Sequence, residues 1–281
     1  MRPIRVLAAI WMIFAARDVA SSERLVFGVV PQQTPARLAE TWVPLLEEVG
    51  RRAGVELGFA TAKDIPSFES CLARGAYDVA YMNPYHYVVF AKSPGYAAFA
   101  RQEGGAMRGL VVVALESPAR SLADLAGGRL ALPSPAAFAA SVLPRAELRA
   151  AGIPVETLYV RSHESVYRAV VAGQVEAGGG IDRTFESAEP ELRAALRVLH
   201  ATEGYTPHAF AAHPKITAAT RVRLAAALAE AGAARPDLLP ALGVAGFRPA
   251  VDAEWNDIRK LDIRSEDAPV RTEGSAPCRS D

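Results

Sequence analysis

Tyr77-Asp78-Val79-Ala80-Tyr81-Met82-Asn83-Pro84-Tyr85-His86-Tyr87 reads as a short buried strand that stops at Asn-Pro and runs into a helix. Strand ends that open into helix N-termini are where open α/β sheets bind ligands. The first N–H groups of such a helix point outward and favour anions. The same unit returns as Tyr159-Val160-Arg161-Ser162-His163-Glu164-Ser165 ahead of a second helical run. Two units of this kind predict a chain of two lobes that closes on a small solute.

Strand and helix patterns alternate on either side. Leu25–Val30 is an apolar strand, Pro35 stands at a helix start, and Leu38, Trp42, Leu45, Leu46 and Val49 recur at helical spacing. The pattern restarts near residue 109 with strands over Leu110–Leu115, Arg129–Leu132, Val155–Val160 and the glycine-rich Val175–Ile181. Gly178-Gly179-Gly180 lacks the Lys-Ser/Thr of a phosphate loop and is read as a place where another backbone comes close. The alternation predicts an α/β fold of parallel-rich sheets with helices on both faces. Residues 22–108 plus 201–261 are expected to form lobe one and residues 109–200 lobe two, joined by two hinge crossings. Residues 262–281 are polar and aperiodic and are expected to form a disordered tail.

The composition narrows the function classes. The 281 residues hold 31 Lys plus Arg against 31 Asp plus Glu, which argues against nucleic acid as a partner. Arg2 and Arg5 precede an apolar run over Val6–Ala16 that is too short to span a bilayer, and Val19-Ala20-Ser21-Ser22 follows. This reads as a cleaved secretory signal over residues 1–21 and predicts a periplasmic location. Of the two cysteines, Cys71 sits in a helical pattern as a small core residue and Cys278 lies in the polar tail. A disulfide between them is compatible with an oxidising compartment. The five histidines show no metal-binding spacing, and no Gly-x-Ser-x-Gly elbow is present. No catalytic residue, metal or cofactor is expected.

Val29-Val30-Pro31, the Tyr77–Tyr87 stretch, Pro133-Ser134-Pro135 before a long helix, and Ser162-His163-Glu164-Ser165 occur in an order and spacing that resemble one family. It is the phosphate/phosphite/phosphonate-binding group of ABC-transporter substrate-binding proteins. The resemblance covers about residues 25 to 260. It implies a type II periplasmic binding fold, a monomer, and a small oxyanion held between the lobes. It also implies a membrane ABC permease as partner; the alternative reading is a ligand-sensing periplasmic receptor for a membrane histidine kinase, with a ligand other than phosphonate. By position, the resemblance assigns ligand contact to Tyr87 with Asn83 beside it, to His163, to Asp182 and to the loop containing His208. Tyr85 and Ser134 join them as candidates.

Hydroxyl and imidazole groups, with helix-end N–H groups, are the neutral donors that a desolvated anion requires. Asp182 is suited to accept from a protonated ligand oxygen, and Arg183 beside it to pair with Asp182 or meet the anion. The sequence departs from the family at Ala137-Phe138-Ala139, where phosphonate binders carry a Ser-Thr-Ser cluster. Three hydroxyl donors are absent there, while the helix start itself remains.

Overall fold

The computed structural model describes residues 23–274, 277 and 278; the expected signal over residues 1–21 lies outside them. The first sheet has the strand order β11-β4-β10-β3-β1-β2. It is built from β1 (Glu23–Val29), β2 (Val55–Ala60), β3 (Val79–Met82), β4 (Ala97–Gln102), β10 (Ala209–Ala212) and β11 (Phe247–Pro249). The second has the order β7-β6-β8-β5-β9. Its strands are β5 (Gly109–Ala114), β6 (Arg129–Leu132), β7 (Glu156–Tyr159), β8 (Ala177–Ile181) and β9 (Leu196–Ala201). The chain thus forms two mixed sheets with helices, an α/β architecture. Parallel pairs lie at β1–β2, β1–β3, β6–β7 and β6–β8, while β5, β10 and β11 pair antiparallel.

Helices pack on these sheets by their apolar stripes. In α1 (Pro35–Ala53), Thr34 accepts from the Arg37 N–H, Pro35 opens the first turn, and Gly54 ends the helix in a left-handed conformation. Its buried face carries Leu38, Trp42, Leu45, Leu46 and Val49, with Trp42 4.6 Å from the Tyr81 ring. The other α-helices of five or more residues among the described residues are α2 (Ile65–Ala73), α3 (Pro84–Lys92), α4 (Leu143–Ala150), α5 (His163–Val171), α6 (Asp182–Glu186), α7 (Pro190–Ala194) and α8 (Ala218–Ala234).

Met107 and Tyr205, on the two crossings between the sheets, exchange backbone hydrogen bonds of 2.7 and 2.9 Å. A π-helical turn, residues 138–142, precedes α4 and lies directly on the second sheet. Glycines make this approach possible: a Cβ at Gly179 would stand 1.9 Å from the Ala140 oxygen, and one at Gly109 2.1 Å from the Ala139 oxygen.

The expectation of a disordered tail is corrected. Ala268 is buried, and its carbonyl accepts from Tyr85 Oη at 3.2 Å. The Arg271 N–H donates to Glu69 at 2.7 Å, and Ser70 Oγ donates to the Glu273 carbonyl at 2.7 Å. Asp267 pairs with Arg149 of α4 at 3.2 Å, and its carbonyl accepts from Arg145 at 2.7 Å. Cys71 and Cys278 form a disulfide with their Cα atoms 5.6 Å apart. The tail is held by carbonyl acceptors, ion pairs and a covalent bond, none of which requires apolar periodicity. It therefore touches both the helix that follows β2 and the helix that follows β6.

Candidate functional site

The carboxyl ends of β1, β3, β6 and β8 deliver polar residues into the gap between the two sheets. After β1 comes Gln32; after β3, Asn83; after β6, the turn at 137–140; after β8, Asp182 and Arg183. Gln32, Asn83, Ala137–Ala140, His163 and His208 line a narrow central cavity of about 10 Å³. A chamber of about 610 Å³ adjoins it on the His163 side, and one of about 180 Å³ on the side of Tyr81, Asp182 and Arg183.

Contacts across the gap hold the two sides together. Asn83 caps α3 by accepting from the His86 N–H at 2.7 Å, and its amide donates to the Ala136 carbonyl at 3.1 Å. Arg183 donates to Tyr81 Oη at 3.1 Å and to Gln32 Oε1, with its guanidinium 5.5 Å from the Tyr81 ring centre. Gln33 donates to Ser187 at 2.8 Å. His208 lies on the Tyr81 ring, centres 4.7 Å apart and nearly parallel, and its Nε2 is 3.2 Å from the Gln32 amide nitrogen. His163 opens α5 behind the Ser162 cap, with Nδ1 3.1 Å from Thr184 Oγ1. Thr184 in turn meets Tyr167 Oη at 2.8 Å.

Burial, reinforced by the charge of Arg183, lowers the His163 pKa to about 3 and holds His208 well below its ordinary value. Both rings are therefore neutral. Burial also pushes the Tyr81 hydroxyl upward against the opposing pull of Arg183. The gap thus presents neutral polar groups, one guanidinium and the first turn of a helix whose N–H groups have no intrahelical partner. That set can hold an anion without forming a bond to it.

Of the residues singled out in the sequence, Asn83, His163 and His208 meet at the central cavity, and Asp182 is exposed on the wall of the Arg183 chamber. Two tyrosines require correction. Tyr87 turns away from the gap, donating to Asp252 at 2.5 Å and packing on Trp255. Tyr85 turns under the tail, onto Ala268. Both hydroxyls satisfy partners that lie far along the chain, away from the cavity. Ser134 is buried, and its hydroxyl has no partner among the described residues. Phe138 is buried against Tyr205, edge to face at 5.7 Å, and also lines the cavity. Gln32, Tyr81 and Thr184 were not anticipated. The strand-end position of Gln32, just after Val29-Val30-Pro31, was the available signal.

The profile of the ABC-transporter phosphonate periplasmic substrate-binding proteins matches residues 27–255. The chain is 24% identical over 179 residues to the phosphate-import protein PhnD of Mycolicibacterium smegmatis, spanning about 56% of that relative's length. Two solved structures share the fold. A binding-protein component of an ABC phosphonate transporter from Pseudomonas aeruginosa has a TM-score of 0.78 at 16% identity, covering 86% of each chain. A PhnD protein from Prochlorococcus marinus, in complex with methylphosphonate, has a TM-score of 0.75 at 16% identity, covering 85% of this chain and 98% of that one. With the profile matched over residues 27–255, most of the chain, the chain belongs to the phosphonate-binding family of periplasmic ABC-transporter substrate-binding proteins.

Proposed function

We propose that this protein captures a small phosphorus oxyanion (a phosphonate, phosphite or phosphate) between its lobes and hands it to a membrane ABC permease. The observation that carries the reading is at His208. Its Nδ1 is buried and has no partner among the described residues, in a ring that lines the cavity beside the helix start at 137–140. A buried imidazole nitrogen without a partner is costly, and an anion oxygen would supply the missing bond. Asn83 and His163 line the same cavity and join His208 as ligand contacts, with Arg183 supplying positive charge from behind. Asp182 stands at the rim, and Ser134 behind the helix start. Methylphosphonate in the Prochlorococcus structure and the phosphate-import role of the Mycolicibacterium relative support this ligand class. Export by a cleaved leader and action as a monomer complete the reading.

The test is a thermal-shift series with phosphate, phosphite and methylphosphonate, followed by calorimetry. A ligand at a hundred times its dissociation constant stabilises by about 2.7 kcal/mol. His208→Ala should remove most of that gain. A folded protein that none of these anions stabilises would refute the ligand class. Unimpaired oxyanion uptake in cells lacking the protein would refute the transport role.

A further inference from the structure

Hydrogen-bond accounting fixes where each cavity histidine carries its hydrogen. Arg183 has only donors, so the Gln32 atom that it meets is Oε1, and the Gln32 amide nitrogen faces His208 Nε2. That nitrogen donates, so His208 Nε2 accepts and the ring hydrogen is on Nδ1, the atom without a partner among the described residues. Thr184 Oγ1 has three neighbours: Tyr167 Oη at 2.8 Å, His163 Nδ1 at 3.1 Å and the Ile181 carbonyl at 3.1 Å. One hydroxyl hydrogen serves all three only if it goes to the carbonyl and the other two groups donate. His163 then carries its hydrogen on Nδ1 and keeps a lone pair on Nε2. Both rings line the same cavity, and among the described residues no Asp or Glu lines it.

We propose, resting on the reading of this cavity as the ligand site, that His208 and His163 form a donor–acceptor pair selecting a tetrahedral oxyanion that retains one acidic hydrogen. His208 Nδ1–H donates to an ionised oxygen, and His163 Nε2 accepts from the ligand's O–H. A sulfonate or sulfate, fully ionised, would set an oxygen lone pair against that of His163. Gln32 and Thr184 are positioning residues: each fixes the hydrogen of one ring without itself being required to touch the ligand.

The first test needs no variant. In ¹⁵N-histidine NMR of the ligand-free protein, both rings should show the Nδ1–H form, and an Nε2–H form at His163 would overturn the pair. The second compares methylphosphonate with methanesulfonate, near-equal in size and shape, by calorimetry in mildly acidic buffer, where the phosphonate keeps one hydrogen. Loss of one charge-assisted hydrogen bond predicts a preference of at least about thirtyfold for methylphosphonate. Equal affinities would overturn the proposal and leave the binding site intact. No binding of either anion, with unmoved histidine signals, would overturn the site itself. Thr184→Val frees the His163 ring to move its hydrogen to Nε2, so the preference should fall about tenfold. An unchanged preference would remove Thr184 from the device.

Discussion

Two strand-to-helix corners face each other across the gap. At the corner after β3, Asn83 caps its helix, His86 Nε2 lies 3.0 Å from Glu69, and Tyr85 and Tyr87 donate to Ala268 and Asp252. At the corner after β6, Ala137 stands at the cap position with no side-chain acceptor, and the buried hydroxyls of Ser134 and Ser141 have no partner among the described residues. The first corner caps its own helix and commits both tyrosine hydroxyls, while the Asn83 amide reaches across the gap to the Ala136 carbonyl and His86 Nδ1 has no partner among the described residues. The second leaves the start of its helix open to whatever enters the cavity. Position alone therefore does not make an open corner; what counts is whether a side chain of the corner already caps the helix start.

Breaking the second corner should have the largest effect. Gly179→Val places a side chain where the Ala140 carbonyl lies, so the turn at 138–142 must lift from β8. The expected loss is about 3 kcal/mol in urea unfolding, with oxyanion binding abolished. The neutral histidines give the next effect. The His163 pKa is about 3 in the fold against 6.5 ordinarily, so between these values the unfolded chain binds a proton that the folded one does not. Stability is complete above the upper value and falls as the pH drops, by about 1.4 kcal/mol per pH unit for this ring. His208, lowered in the same direction, adds to the slope. A urea series from neutrality into mild acid measures it, and a flat profile would contradict the burial of both rings as neutral groups.

Smaller changes sharpen the contrast. Asn83→Ala removes the α3 cap and the bond to Ala136, costing about 1–2 kcal/mol and weakening anion affinity several-fold by calorimetry. Tyr87→Phe should cost about 1 kcal/mol and leave affinity unchanged, because its hydroxyl serves Asp252 and not the cavity. Ala137→Ser, which adds a capping hydroxyl to the open corner, should raise stability by about 0.5 kcal/mol.

The alternation of strands and helices was legible in the sequence because apolar runs and caps are local signals. The direction of β5 and β10 was not, since a buried strand carries the same apolar run whichever way it pairs. Asn83, His163 and His208 were found because they lie at strand ends or in the loop at the return crossing. The aim of Tyr85 and Tyr87 was hidden because their partners lie beyond residue 250. The state of His208 depends on Arg183 and Gln32, which are 151 residues apart, and no local pattern encodes such a relay. The tail was misread for a related reason: its anchors are carbonyls, charges and one cysteine.

That cysteine also alters the topology of the molecule. Cys71 and Cys278 are 207 residues apart, so the bond turns most of the chain into a covalent ring that contains the entire second sheet and both crossings. In the loop-entropy picture a ring of this size restricts the unfolded chain by about 5 kcal/mol. Force applied at the two ends can draw out only the chain outside the ring, chiefly the part before Cys71 with β1, β2 and the start of α2. A single-molecule pulling trace should therefore stop short, and it should reach full length only after a reductant opens the ring.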